Sequence, residues 1–258
     1  MSDILPTIFP LTLLQGGDRP DNVFSHLGGH GSLILAFLTY RDANALRATC
    51  KEACTAVAEH KWMDSETRIK GSLKLWRICF RNARAANISY RRDLKDIDFV
   101  HLKGIHTLNM SCCNTISKAA FTHLKGIHTL DMSDCNQITG ILFIHFRGIH
   151  TLNISGCWRI TDQAFRYLEG IHTLNMSDCS RITDAAFVYL KGIHTLVMQS
   201  CYQDSITNAA FTHLKGMCTL DISESGRASL LRSHGIYTQK TSITDAAFIH
   251  LNGCHIIR

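Results

Sequence analysis

Residues Gly170 to Lys191 read GIHTLNMSDCSRITDAAFVYLK. Ile171, Leu174 and Met176 are apolar, and polar Asn175 and Ser177 stand on either side of Met176. The Leu174–Met176 spacing is the two-residue period of a half-buried strand. Cys179 follows three residues after Met176 and is expected to turn inward, with Ile182 as the next apolar anchor. Thr183 or Asp184 is placed to cap a helix by accepting a hydrogen bond from a free backbone N–H. Ala185, Ala186, Phe187 and Leu190 then give a short helix with an inward Phe–Leu pair three apart. Gly192 suits the left-handed residue that ends it. The stretch is therefore strand, turn, helix, turn.

The same 22-residue unit begins at Gly104, Gly126, Gly148, Gly170 and Gly192, with altered copies at Asn82 and Gly216. A fixed period of this length means stacked units, none of which buries its apolar face alone. Helices are wider than strands, so the stack places its strands on the concave side. The pattern I-x-x-L-x-M/I-x-x-C-x-x-I resembles the cysteine-containing leucine-rich repeats over residues 82–258. The resemblance implies an α/β leucine-rich-repeat solenoid, with parallel strands on the concave face and helices on the convex face. Seven units are expected. The first keeps Ile88, Leu94, Phe99 and Leu102 but has Arg91 where the others have cysteine. The Gly192 unit carries two extra residues around Tyr202 to Ser205, and residues 224–241 form an insertion before Ile243. The last strand is read as truncated.

Composition narrows the function classes. The chain has 258 residues and a formal charge of +6. No run of about 18 apolar residues marks a spanning helix. Residues 1–25 read as a partly disordered leader without the basic start of a secretory signal. Of the 11 cysteines, Cys113, Cys135, Cys157, Cys179 and Cys201 hold one place in successive units. That regularity fits a structural ladder of reduced thiols in a reducing compartment, the cytoplasm or nucleus of a eukaryotic cell, or of a host cell for a viral source. From Arg68 to Arg92 the chain has eight basic residues and no acidic one. Residues 66–81 are read as a basic linker or helix with a solvated face.

Neither a phosphate-binding glycine loop nor a zinc-protease helix motif is present. The repeated cysteines point inward, whereas a nucleophile needs exposure and a lowered pKa. No enzyme, cofactor or metal site is expected. His106, His128, His150, His172, His194 and His255 each lie two residues after a glycine, and His101, His123, His145, His213 and His250 lie near helix ends. Side chains on neighbouring strands point the same way about 4.8 Å apart, while zinc needs four converging ligands. A structural imidazole ladder is expected instead.

Before the repeats, ILAFLTYRDANALRATCKEACTAVAEHKW forms a small helical module. Ala43 to Glu59 has helical spacing, and Asp42 is a plausible N-cap. Ile34, Leu35, Phe37, Leu38, Asp42, Leu46, Cys50 and Trp62 fall in register with the F-box family, which the segment resembles. The family's opening Leu-Pro is absent, with His26-Leu27 in its place. The module is bounded at 26–65. The resemblance implies that Ile34, Leu35, Phe37, Leu38 and Leu46 dock a Skp-type adaptor joined to a cullin scaffold, and that the repeats hold a protein target. The chain then reads as the substrate receptor of an SCF-type ubiquitin ligase, or as a repeat scaffold with no ubiquitin link. Nucleic acid and membrane partners are not expected.

The outward strand positions are small, polar and uniform, so specificity is expected where the repeat breaks. Trp158, Val197, Gln199 and Tyr202, with Asp134 and Asp178, are the candidate target-binding residues. Aromatic anchors carry binding energy out of proportion to their number. The basic insertion at 224–241 is a second candidate.

Overall fold

The structure, a computed structural model, describes residue 35 and residues 38–49, 51–201, 205–223 and 243–258. The leader, Ile34, Phe37, Cys50, Tyr202 and the 224–241 insertion lie outside the described residues. The chain divides into two compact units, Met1–His60 and Lys61–Arg258.

In the first unit, α1 spans Tyr40–Leu46 and α2 spans Lys51–Glu59. The single helix expected from Ala43 is thus two helices, with a turn at residues 47–49. Its cap is Thr39 rather than Asp42. The Thr39 hydroxyl oxygen accepts the Asp42 N–H at 3.3 Å, and the Asp42 carboxylate accepts the Thr39 N–H at 3.4 Å. This reciprocal box satisfies two otherwise free donors. Leu35, Tyr40, Ala43, Ala53 and Val57 are buried.

The second unit is a stack of rungs. Among its described residues eight parallel strands form one sheet in chain order. They are β1 Ala85–Asn87, β2 Thr107–Asn109, β3 Thr129–Asp131, β4 Thr151–Asn153, β5 Thr173–Asn175, β6 Thr195–Val197, β7 Thr219–Asp221 and β8 His255–Ile257. The register is the sequence register: Leu108, Leu130, Leu152, Leu174, Leu196 and Leu220 align across successive strands. Behind them Phe99, Phe121, Phe143, Phe165, Phe187 and Phe211 are fully buried. Each Phe lies on a short helical segment, either α-helical (Lys118–Phe121, Asp184–Phe187, Asn208–Phe211) or 3-10 (Asp96–Leu102, Gly140–Phe146, Asp162–Tyr167). The Thr183 hydroxyl caps Asp184–Phe187 by accepting from the Ala185 N–H at 3.2 Å.

A cryptic rung precedes β1. The Trp62 carbonyl accepts from the N–H groups of Arg84 and Ala85 at 2.7 and 3.1 Å. One rung on, the Arg84 carbonyl accepts from His106 and Thr107 in the same way, at 2.7 and 2.9 Å. Ile69 donates to the Asn87 carbonyl at 2.8 Å. The helix of this incomplete rung is α3, Leu73–Cys79, which buries Leu73 and Trp76. The stretch read as a basic linker or helix is therefore a helix built into the stack. Trp62, part of the F-box pattern, lies in this second unit and packs edge-on against Phe80 at 5.5 Å.

Arg91 explains its own departure from the cysteine column. Its Nη1 donates to the carbonyls of Ile69 at 2.7 Å and Gly71 at 3.0 Å, and its guanidinium pairs with Asp93. Cys113 donates from Sγ to the Ile88 carbonyl, the corresponding atom one rung later. The arginine reaches the less regular backbone of the cryptic rung.

Three residues past each of β1 to β6 stands a residue with positive φ: Tyr90, Cys112, Asp134, Gly156, Asp178 and Ser200, between 55° and 71°. For a non-glycine residue this costs roughly 1–2 kcal/mol. The turn persists because its N–H is used across rungs. Cys112 donates to the Ser133 carbonyl at 2.9 Å, Asp134 to Ser155 at 2.8 Å and Asp178 to Gln199 at 3.0 Å.

Candidate protein-recognition face

The strand face is less available than its polarity suggests. Asn109 Oδ1 accepts the Ser111 N–H at 3.0 Å and its hydroxyl at 2.9 Å. The same two-residue bond recurs from Asp131 to Ser133, Asn153 to Ser155, Asn175 to Ser177 and Asp221 to Ser223. These polar residues, read as outward and uniform, satisfy the strand ends. Val197 breaks the pattern because it has no acceptor. The Gln199 N–H turns instead to the Ser177 hydroxyl at 3.1 Å, and its Nε2 donates to Asp221 Oδ2 at 2.7 Å. Burial pushes the Asp221 carboxyl up, but hydrogen bonds from Ser223 and Gln199 outweigh it and hold the group below the usual range.

Five of the six histidines expected in one column form the ladder, whereas His255 stands out of it, on β8 opposite Thr219. Five rings from His106 to His194 stack at centroid distances of 4.4–4.5 Å, with planes 12–16° apart. Each Nδ1 lies 3.1–3.4 Å from the hydroxyl of the next residue, a threonine. Stacked faces do not converge on a metal, and among the described residues no group of three or more His, Cys, Asp or Glu is arranged to hold one.

The cysteine column is inward and inert. Cys135, Cys157, Cys179 and Cys201 donate from Sγ to the carbonyls of Met110, Met132, Ile154 and Met176 at 3.2–3.3 Å. Burial pushes the Cys113 thiol up to about 11 and those of Cys157 and Cys201 up to about 12. Cys135 and Cys179 are pushed up for the same reason.

The described candidate target residues lie on successive rungs, and the Asp178 N–H donates to the Gln199 carbonyl at 3.0 Å. Trp158 is 41% exposed on the turn after β4, with the guanidinium groups of Arg159 and Arg181 5.1 and 5.4 Å from its ring centroid. Asp134 and Asp178 occupy the left-handed positions of the rungs before and after Gly156. Asp134 Oδ1 overhangs that glycine, 2.3 Å from where a Cβ would stand. Val197 and Gln199 lie on the β6 rung beside Asp221. Of the adaptor residues, Leu35 is buried, while Leu38 and Leu46 are half-buried.

One feature of the helical flank escapes sequence reading. Asp162 grips the next rung's Thr183, accepting its N–H at 2.8 Å and its hydroxyl at 2.7 Å. Asp184 grips Thr207 at 2.7 and 2.6 Å, and Asp96 grips Ser117 through the same two donors. The aspartate expected as a helix cap is thus a clamp between rungs. Three rungs lack the aspartate: Asn208 takes its place by accepting the Thr244 N–H at 2.9 Å and donating to its hydroxyl at 2.8 Å, while Lys118 and Gly140 form no such clamp among the described residues. At Gly140 close packing substitutes: a Cβ there would stand 3.2 Å from Ala164 Cβ. At Lys118 no side-chain hydrogen bond to Thr139 is present among the described residues, and a groove opens, lined by Lys118, Gln137, Thr139 and the exposed Ile141. The recurrent Thr-Asp pair was the available signal.

These rungs and ladders define the class: the fold is an α/β leucine-rich-repeat solenoid preceded by helices. No family model matches the chain. No curated protein matches it. Among solved structures, a chain of the yeast Rad7–Elc1 complex is similar, with a TM-score of 0.59 and 14% identity over 85% of this chain. A chain of the TLR13–ssRNA13 complex has a TM-score of 0.55 and 11% identity over 82% of this chain. This chain spans 58% and 34% of those two chains. At such identities the likeness is one of fold.

Proposed function

We propose that this chain is a protein-recognition subunit, the substrate receptor of an SCF-type ubiquitin ligase. The first unit docks a Skp-type adaptor and the solenoid holds the target. The observation that carries the reading is the order of parts: a helical module with the F-box pattern stands directly before a leucine-rich-repeat solenoid. Half-buried Leu38 and Leu46 are available for adaptor contact, whereas buried Leu35 serves the module's integrity. The fold likeness to a chain crystallised within the Rad7–Elc1 complex agrees with a solenoid that works in an assembly. Such a receptor performs no covalent step. It raises the effective concentration of the target beside the conjugating enzyme. The raised thiol pKa values of the cysteine column fit a non-catalytic role.

One observation favours a second reading, a scaffold with no ubiquitin link. Trp62 belongs to the cryptic rung by its backbone hydrogen bonds, so part of the F-box pattern serves the solenoid. Co-purification with a Skp-type adaptor separates the two. The receptor reading expects micromolar or tighter binding that Leu38→Asp removes. Absence of binding by the wild-type chain leaves the scaffold reading. On the target side, Trp158→Ala is expected to weaken target capture about tenfold or more. Unchanged capture would remove Trp158 from the site.

A further inference from the structure

The loops that lead into the strands carry a recurring charged surface. A cation, a glycine, a buried aliphatic residue and a histidine follow one another at Lys103–His106, Lys125–His128, Arg147–His150 and Lys191–His194, and Lys215 opens the next loop. Lys103, Lys125, Arg147, Lys191 and Lys215 are all exposed. Glu169 stands at the corresponding place in one loop. Exposed Arg84 heads the histidine column from the rung before. The glycines between cation and aliphatic residue leave bare backbone, with no atom within 4 Å of a would-be Cβ from Gly104 to Gly216 in these loops.

Burial accounts for the aliphatic residue and stacking for the histidine, but neither accounts for the cation. Other columns outside the core have drifted. The clamp position reads Asp96, Lys118, Gly140, Asp162, Asp184, and the turn after the strand reads Thr115, Gln137, Arg159, Arg181. The imidazoles also have unused capacity. Their Nδ1 atoms face the threonine hydroxyls, while among the described residues no hydrogen bond engages Nε2 of His106, His128, His150, His172 or His194. In the tautomer whose Nδ1 accepts from threonine, Nε2–H donates outward.

We propose that this loop edge docks an extended acidic segment of a target protein, with carboxylates bound by the loop cations and by the row of imidazole Nε2 groups. The proposal rests on the protein-recognition reading above and names the chemistry of the target. Charge complementarity selects the partner. The charged residues of these loops and of the outward strand positions are Arg84, the loop cations, Glu169, Asp131 and Asp221. Cations therefore dominate the edge. A single-stranded nucleic acid needs aromatic platforms for its bases. This edge has none free: Tyr189 is half-buried, and Arg147 and Arg166 lie 5.5 and 4.7 Å from the centroid of the Tyr167 ring. Trp158 lies on the turns at the other end of the strands.

The test is fluorescence anisotropy of a labelled oligoglutamate peptide with the full chain at low salt, beside a labelled oligothymidine of equal charge. The peptide is expected to bind saturably and more tightly than the oligothymidine. Lys103→Gln/Lys125→Gln/Lys191→Gln is expected to weaken it by about tenfold or more. His128→Gln/His150→Gln/His172→Gln is expected to weaken it as well, whereas Lys70→Gln/Lys74→Gln leaves it unchanged. Should either triple variant unfold, the exposed single change Lys125→Gln must still weaken binding. Tighter binding of oligothymidine, no peptide binding, or equal loss in the Lys70/Lys74 variant overturns the proposal. The assay contains no adaptor. Loss of adaptor co-purification with peptide binding intact removes only the ubiquitin-ligase reading, and the converse result removes only this one.

Discussion

His128 and His172 give the imidazole ladder an expected pH response. Both are held below the ordinary imidazole value, first by burial and then by the charge of their stacked neighbours. A base with a lowered folded pKa is protonated more readily when unfolded. Its stability contribution is fully present above the unfolded value near about 6.5 and is lost as pH falls through the folded one. The melting temperature is expected to fall between about pH 7.5 and about 5.5, and His128→Gln/His172→Gln to flatten that fall. A flat wild-type profile contradicts this. The cysteine column makes a second residue-scale prediction. Iodoacetamide is expected to alkylate exposed Cys218 in the native chain and to spare Cys135, Cys157 and Cys179 until denaturant is added, as peptide mapping would show. The inward residues were legible because burial imposes a period that the sequence displays. The outward ones were not, because Asn175 and Ser177 recur for a hydrogen bond between themselves, and a column kept for that reason looks like a column kept for a ligand.

Among elements, the aspartate clamps decide how firmly neighbouring rungs are joined on the helical flank. Lys118→Asp is expected to restore the missing grip on Thr139 and to add about 1 kcal/mol, raising the melting temperature by about 2–4 °C. Asp184→Ala is expected to lose a similar amount by freeing the N–H and hydroxyl of Thr207. If Lys118→Asp melts no higher than the wild type, the clamp is not a stabilising contact at that rung. The strands and their register were legible, since Leu174 and Met176 show the two-residue period in every complete unit. The cryptic rung was not. Trp62 and Ile69 take part through backbone atoms, and the basic side chains of Arg68 to Arg81 mask the single apolar face of α3. The 3-10 segments were also hidden, because Asp162–Tyr167 and Asp184–Phe187 share an apolar pattern although the first is 3-10 throughout and the second is α-helical.

For the whole solenoid, each rung contacts mainly its neighbours, so stability is close to a sum over rungs and the interfaces between them. A cavity in the middle is expected to cost more than one at an end. Phe165, fully buried between two complete rungs, is expected to lose about 3–5 kcal/mol on change to alanine in chemical denaturation. Phe248→Ala, at a half-buried position on the last helical segment, is expected to lose less. Equal losses would mean that the array unfolds without regard to position.

The gap at Lys118 has a mechanical meaning. A load applied along the stack is shared by the strand hydrogen bonds, the core and the flank clamps, and at Lys118–Thr139 the clamp is missing. Pulled from its ends, the solenoid is expected to yield there first, splitting into a short piece ending near β2 and a longer one beginning near β3. Bent around a partner, it is expected to flex most at the same place.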